Sequence, residues 1–314
     1  MWIKPHLQEE TTSGQSMSAW TSTRSVAGSN EDWQQRLATS LQQHAWSAAL
    51  TNIVGKLAAG EQLTLQDGLT LYHHPNLNEV GLLANEVRTA RFDNKAFFNS
   101  NVHVNQTNVC VLACKFCAFR RSKKAKDAYA MDIDAYIEDL AKYAEHVDEV
   151  HSVGGLHPDW GVEHYESLFQ ATKKAFPHIT IKALTAVEIK HLSQVSNTTY
   201  EDTLRRLKEA GLGSLPGGGA EILDDEVRAI ICNGKESSDE YLEIHRTAHN
   251  VGLSTNCTML FGTIETLEQR LNHMISLRNL ANETNGFQCF VPHGFIECRL
   301  SVGRVIEIGC RFRR

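Results

Sequence analysis

From Phe97 onward, short β-branched or apolar runs alternate with longer stretches of helical period, and this alternation constrains the fold more than any other feature. The spacing predicts strands over 102–104, 149–153, 180–184, 214–215, 254–260 and 287–291. Between the first two, Ile133, Tyr136, Ile137, Leu140, Ala144 and Val147 share one helical face. Val162, Tyr165, Phe169, Thr172 and Phe176 share another, and Pro177 ends that helix. Thr199 with Asp202, and Ser237 with Glu240, have the spacing of N-terminal caps, and Gly211 and Gly252 follow as stops. Strands joined in this way through helices pair in parallel with right-handed crossovers. The expected class is therefore α/β, a TIM-barrel-like partial β/α barrel rather than a flat doubly wound sheet. Chemistry in such folds gathers at the C-terminal ends of the strands.

Four segments follow along the chain. Residues 1–30, rich in Ser, Thr and Gln with no apolar period, are expected to be a disordered leader. Glu9 and Glu10 argue against an acid-poor transit peptide. Residues 31–95 form a helical preamble, with a stop at Gly60 after Val54, Leu57 and Ala58. Residues 96–295 are the barrel core, and 296–314 are an atypical tail without strand–helix period. The net charge of −6 does not advertise a nucleic-acid partner or an acidic membrane surface. No apolar stretch is long enough to span a bilayer, and no hydrophobic secretory signal opens the chain. Eight cysteines without such a signal point to a reducing, cytoplasmic setting, where thiols serve metal or redox chemistry. Cys232, Cys257, Cys289, Cys298 and Cys310 are scattered and are expected to be small packed hydrophobes.

The other three cysteines are concentrated. Cys110, Cys114 and Cys117 stand at i, i+4 and i+7 on the loop after the first expected strand, where three thiolates can converge on one metal centre. Iron–sulfur clusters prefer cysteine ligands and normally take four, so three would leave one iron open to a further ligand. Zinc is the alternative, with His103 or His151 as a fourth ligand.

C-x₃-C-x₂-C with an aromatic residue, Phe116, before the last cysteine resembles the signature of the radical S-adenosylmethionine (SAM) superfamily. The resemblance continues at 154–158 (Gly-Gly-Leu-His-Pro) and 181–189 (Ile-Lys-Ala-Leu-Thr-Ala-Val-Glu-Ile). It extends to 216–222 (Pro-Gly-Gly-Gly-Ala-Glu-Ile) and 244–249 (Ile-His-Arg-Thr-Ala-His), running in all from about Trp46 to Phe295. Together these motifs are similar to the branch that makes menaquinone through futalosine and the deazaflavin precursor of coenzyme F420. Lys182 and the run from Thr185 to Glu188 are most similar to the subgroup that makes aminofutalosine.

The resemblance implies a 4Fe–4S cluster on Cys110, Cys114 and Cys117, with SAM consumed as co-substrate. It implies a small-molecule substrate, 3-[(1-carboxyvinyl)oxy]benzoate, whose enol-ether double bond receives the 5′-deoxyadenosyl radical. It also implies an electron donor such as flavodoxin or ferredoxin. Phe116 would lie beside the adenosyl group, and Gly154 and Gly155 would let backbone approach the methionine amino group. Gly217, Gly218, Gly219 and Glu221 would belong to the cofactor site, and Glu188 and His157 to the catalytic machinery. The futalosine cyclase, a deazaflavin-synthase-like enzyme and an inactive cluster-binding or zinc-binding fragment stand as alternatives.

Each motif also has a plainer meaning. Gly154-Gly155 can be a tight turn and Gly217–Gly219 an ordinary loop. His157 and His245 can be structural histidines, and Glu188 and Glu221 can cap helices. The basic run Arg120-Arg121-Ser122-Lys123-Lys124-Ala125-Lys126 can be a solvated loop or meet an electron donor. Three departures from the branch stand out. Thr263 replaces the His of a Gly-His-x-Glu motif, and His293-Gly294 replace Leu-Ala. After Phe295 the sequence no longer resembles the branch, as expected of a truncated or out-of-frame end.

Overall fold

The structure is a computed structural model and describes residues 29–295. Most of the expected leader and all of the 296–314 tail lie outside the described residues. The chain divides into two compact units between Phe98 and Asn99.

The first unit is helical: α1 (Trp33–Leu41), α2 (Thr51–Ala58), α3 (Leu65–Tyr72) and α4 (Leu77–Phe92). Trp33, Leu37, Leu41, Leu50, Ile53, Leu57, Leu83 and Ala90 form its core. Gly60 follows α2 at φ +73, the left-handed conformation a helix stop requires. Thr64 and Asp67 close a reciprocal capping box on α3.

The second unit is a six-stranded, all-parallel sheet in the order β1 to β6. The strands are β1 (Asn101–His103), β2 (Glu149–Ser152), β3 (Thr180–Ala183), β4 (Leu212–Leu215), β5 (Ser254–Phe261) and β6 (Phe287–Gly294). Sequential order with a helix in every crossover is the topology of a partial β/α barrel. The helices are α5 (Ile133–Ala141), α6 (Val162–Ala175), α7 (Ala186–Ser196), α8 (Tyr200–Glu209), α9 (Asp225–Ile231), α10 (Ser238–Asn250) and α11 (Leu267–Thr284). Tyr136, Leu140, Tyr165, Phe169, Leu207, Tyr241 and Ile244 from the helices pack with Val150, Ile181, Ala183 and Leu215 from the strands. Among the described residues no helix is long and apolar enough to cross a membrane.

All six strands stand where the periodicity places them. The Thr199 and Ser237 caps form, with Asp202 N–H and Glu240 N–H donating to the respective hydroxyls. One helix and one strand end differ from expectation. α5 ends at Ala141 although its apolar stripe continues to Val147. β3 stops at Ala183, one residue before the expected end, Leu184 turns at φ +63, and α7 begins at Ala186. The cause is a capping box in which Glu188 accepts the N–H and hydroxyl of Thr185, at 2.7 and 2.8 Å.

Three histidines, two buried and one half-buried, tie the helices to β5. The Thr255 hydroxyl lies between His245 Nδ1 (2.8 Å) and His249 Nε2 (2.9 Å). His273 accepts Leu223 N–H on Nδ1 at 3.0 Å and donates from Nε2 to the Thr258 carbonyl at 3.0 Å, which fixes a neutral ring. Burial pushes His245 down to about 3, with His249 adding to the effect. It pushes His249 and His273 down to about 4, against the opposing pull of Glu283 and of the Thr258 carbonyl respectively. The unfolded chain takes up these protons near pH 6.5, whereas the folded chain resists until about pH 4 or below. Stability from these groups is therefore complete above the unfolded value and is lost as pH falls below it. The three histidines are expected to make the denaturant midpoint of the full chain fall between about pH 6.5 and 5, offset in part by Glu236 and Glu188, whose raised carboxyls stabilise the fold as pH falls. The folding equilibrium should change by up to about tenfold per pH unit for each histidine. His273→Gln should remove one histidine's share of that slope, and a midpoint constant over this range would contradict the assignment.

Candidate active site

The residues singled out by sequence lie on loops after β1, β2 and β4, at the C-terminal edge of the sheet, together with the start of α7. The β1 loop that carries the cysteines has little regular structure, so its own bonds must hold it. Cys110 N–H donates to the Arg121 carbonyl (3.0 Å) and Arg121 N–H to Asn108 (2.7 Å), closing the loop on itself. Val111 N–H donates to Leu156 just past β2 (3.1 Å), and Lys115 N–H to Ile231 at the end of α9 (2.9 Å). Cys110, Cys114 and Cys117 are free thiols, each half-buried. Burial raises the Cys114 thiol, and Lys235 opposes that shift. Cys114 and Phe116 pack against Ile222, Val227, Ile231, Cys232 and Met259.

Gly154 and Gly155 accommodate this loop. A Cβ on Gly155 would fall 2.1 Å from the Val109 carbonyl oxygen, and one on Gly154 would fall 2.7 Å from Gln106 Nε2. Gly155 N–H donates to Thr107 (2.9 Å), and Gly154 N–H donates to Glu188 Oε1 (2.9 Å). Glu188 is therefore buried with both oxygens engaged, one on Gly154 and one on Thr185. Burial raises its carboxyl, with the Gly154 and Thr185 bonds opposing.

The glycines after β4 are packed as closely. Gly217, at φ +83, would place a Cβ 2.2 Å from the Asn256 carbonyl, and its own carbonyl accepts the Tyr241 and Thr258 hydroxyls. Gly218 abuts the Thr185 methyl, and Gly219, at φ +102, abuts Glu236. Glu221, at φ +44, is buried and paired with Lys235, whose ammonium sits 5.5 Å from the Phe116 ring centroid. Burial would lower Lys235, but Glu221 and Glu236 outweigh it and hold the ammonium charged. Glu236 lies 3.2 Å from Arg228 Nη2, yet neither of its oxygens accepts a well-aligned hydrogen bond. Burial lifts it to about 7 against the pull of Lys235 and Arg228.

The structure thus gathers Cys110, Cys114, Cys117, Phe116, Gly154, Gly155 and Glu188 around one loop. It gathers Gly217, Gly218, Gly219 and Glu221 at the next, joined to Phe116 through Lys235. His157 stands apart: its ring stacks on Trp160 (4.4 Å) and accepts Asp159 N–H (3.3 Å). His103 and His151 lie on β1 and β2, ring against ring, with His151 Nε2 on Glu149. Among the described residues no three His, Cys, Asp or Glu side chains form a cage for a single metal ion, as a structural zinc would require. Lys235, Arg228 and Glu236 were not found from sequence. Their signal was a buried charge cluster, which has no local period.

The clamp on Gly154 makes a measurable demand on Glu188. Glu188→Ala is expected to destabilise the fold by about 1–3 kcal/mol, because it strands the N–H groups of Gly154 and Thr185. Glu188→Gln should cost less, since an amide oxygen still accepts. A purely chemical role would leave the urea midpoint of both variants unchanged.

Comparison with known proteins identifies the family. The profile of the Radical SAM superfamily matches residues 104–277. Aminodeoxyfutalosine synthase of Thermus thermophilus is 43% identical over 249 residues, covering 78% of this chain and 66% of that protein. Cyclic dehypoxanthine futalosine synthase of Streptomyces coelicolor is 38% identical over 256 residues, covering 79% and 63%. The chain therefore spans slightly less than two thirds of the length of these curated relatives. The crystal structure of methylornithine synthase shares the fold at a TM-score of 0.59 and 20% identity, covering 77% of this chain and 67% of that one. The chain belongs to the radical SAM superfamily, whose cofactors are a 4Fe–4S cluster and S-adenosylmethionine.

Proposed function

We propose that this chain carries the core of an enzyme that adds the 5′-deoxyadenosyl group of SAM to 3-[(1-carboxyvinyl)oxy]benzoate, forming aminofutalosine for menaquinone. The observation that carries this is the cysteine loop: three free thiols within eight residues, on backbone tied to its own returning segment, to the end of β2 and to the end of α9. The choice of reaction within the superfamily rests on the 43% identity to aminodeoxyfutalosine synthase, above the 38% to the cyclase.

The residues present fit a cluster. The donor set is thiol only, none of the three is in a disulfide, and Gly155 leaves the space a side chain would take from the loop. Cys110, Cys114 and Cys117 would hold it and leave one iron for SAM. Bound and reduced, the cluster supplies the electron that cleaves a carbon–sulfur bond of SAM. The protein positions the reactants and keeps the site dry. Gly154, fixed by Glu188, and Gly155 present close backbone to the methionine end of SAM. Phe116 offers an apolar face to the adenosyl group. Lys235, with Glu221 and Glu236, supplies charged partners for the polar ends of the cofactor. Glu188 acts by positioning Gly154. His157 is assigned to the wall of the β2 loop, because Trp160 and Asp159 hold its ring. The electron would come from a small carrier such as flavodoxin or ferredoxin in the cytoplasm. The basic loop offers it exposed Lys124 and Lys126, while Arg121 pairs with Asp127 and Lys123 with Asp159.

Two measurements test this. Anaerobic reconstitution with iron and sulfide is expected to load about four irons per chain. Cys110→Ala, Cys114→Ala or Cys117→Ala should abolish loading, and Cys257→Ala should not. With reductant, SAM and 3-[(1-carboxyvinyl)oxy]benzoate, the reconstituted chain should form the adenosine–benzoate adduct. Turnover of dehypoxanthine futalosine with release of free 5′-deoxyadenosine would move the assignment to the cyclase.

A further inference from the structure

The parallel register places one polar residue from each of five strands in a single row. His103 on β1 pairs with His151 on β2, His151 with Lys182 on β3, Lys182 with Ser214 on β4, and Ser214 with Ser254 on β5. Residues in register share a face of the sheet. Their neighbours Val102, Val150, Ile181 and Leu215 pack with the helices, so this row lies on the face turned away from them. Layers on that face of a β/α barrel are ordinarily filled by Val, Ile and Leu. Here the row is polar from end to end.

Its centre is buried and has hydrogen-bond donors without partners. The Lys182 side chain is only 9% exposed, and among the described residues its one partner is Glu149, at 3.3 Å. An ammonium has three N–H donors. Glu149 is itself occupied by three groups: the Lys182 ammonium, His151 Nε2 and the Asn99 amide. Beside Lys182 in register, the Ser214 hydroxyl is buried and has no hydrogen-bond partner among the described residues.

We propose that Lys182 and Ser214 form a subsite for a carboxylate of the substrate, on the inner face of the barrel below the cofactor loops. Two unpartnered donors of different kinds, one charged, match the two oxygens of one carboxylate, and a charged hydrogen bond out of water is strong. Glu149 and His151 act by positioning: they hold the lysine at one corner and leave its other donors for the ligand. This inference rests on the proposed function only for the identity of the substrate, which carries two carboxylates. The anion subsite itself rests on the donors.

The test uses the reconstituted full chain with SAM bound and two probes, benzoate and 3-[(1-carboxyvinyl)oxy]benzoate, each compared with its methyl ester by titration calorimetry. Visible absorbance and iron content verify that each variant is intact. Wild type should bind the acids much more tightly than the esters. Lys182→Met should weaken acid binding about 30-fold or more, the low end for losing a buried charged partner, and should erase the acid–ester difference. Ser214→Ala should weaken it about three- to tenfold, and serves if Lys182→Met fails to load iron. An acid–ester difference unchanged in the intact variants, or a wild type that binds neither acid, would overturn the subsite. Benzoate binding that depends on Lys182, without adduct formation from the larger acid, would support the subsite while the proposed reaction fell.

Discussion

Gly155 has no room for a side chain because the Val109 carbonyl occupies the space where a Cβ would sit. That close approach lets the cysteine loop lie against the end of β2 and exchange the Val111–Leu156 and Gly155–Thr107 hydrogen bonds. The β1–α5 connection is long and mostly irregular, so its ordering must overcome a large conformational entropy. Backbone hydrogen bonds within the loop, to the end of β2 and to the end of α9 do this without covering the thiols, which stay half-exposed. The second anchor on this edge is Glu188, which caps α7 with one oxygen and holds Gly154 with the other. One carboxylate thus fixes the start of a helix and the turn beside the cysteines.

The sheet carries two electrostatic environments. Around the β4 loop, Glu221, Lys235, Glu236 and Arg228 are buried together, and their charges offset one another next to Phe116 and Cys114. Across the inner face of the strands, Glu149 is surrounded by donors and Lys182 and Ser214 keep donors in reserve. In the proposed function the first would serve a zwitterionic cofactor, and in the proposed subsite the second would receive an anion. A barrel with a wholly apolar interior could offer neither.

Much of this was legible in the sequence because the signals are local. Strand period, the caps at Thr199 and Ser237, the stop at Gly60 and the cysteine spacing each depend on residues close in the chain. The turn from β3 into α7 was legible for the same reason, since the Thr185–Glu188 cap is a four-residue signal. The histidines near α10 are packing groups around Thr255, and only tertiary contact shows this. The polar row was invisible for a different reason. Its alignment depends on register, including the shift that pairs Ile181 with Leu212 but Lys182 with Ser214. No period within one strand encodes that shift.

The central claim is that Cys110, Cys114 and Cys117 hold a 4Fe–4S cluster with one iron open to SAM. Electron paramagnetic resonance of the reconstituted, reduced chain, recorded with and without SAM, tests it most directly. The claim predicts a reduced-cluster signal that shifts when SAM is added, and no such signal in Cys114→Ala. A signal that SAM leaves unchanged would contradict it, as would a chain that takes up stoichiometric zinc and no iron.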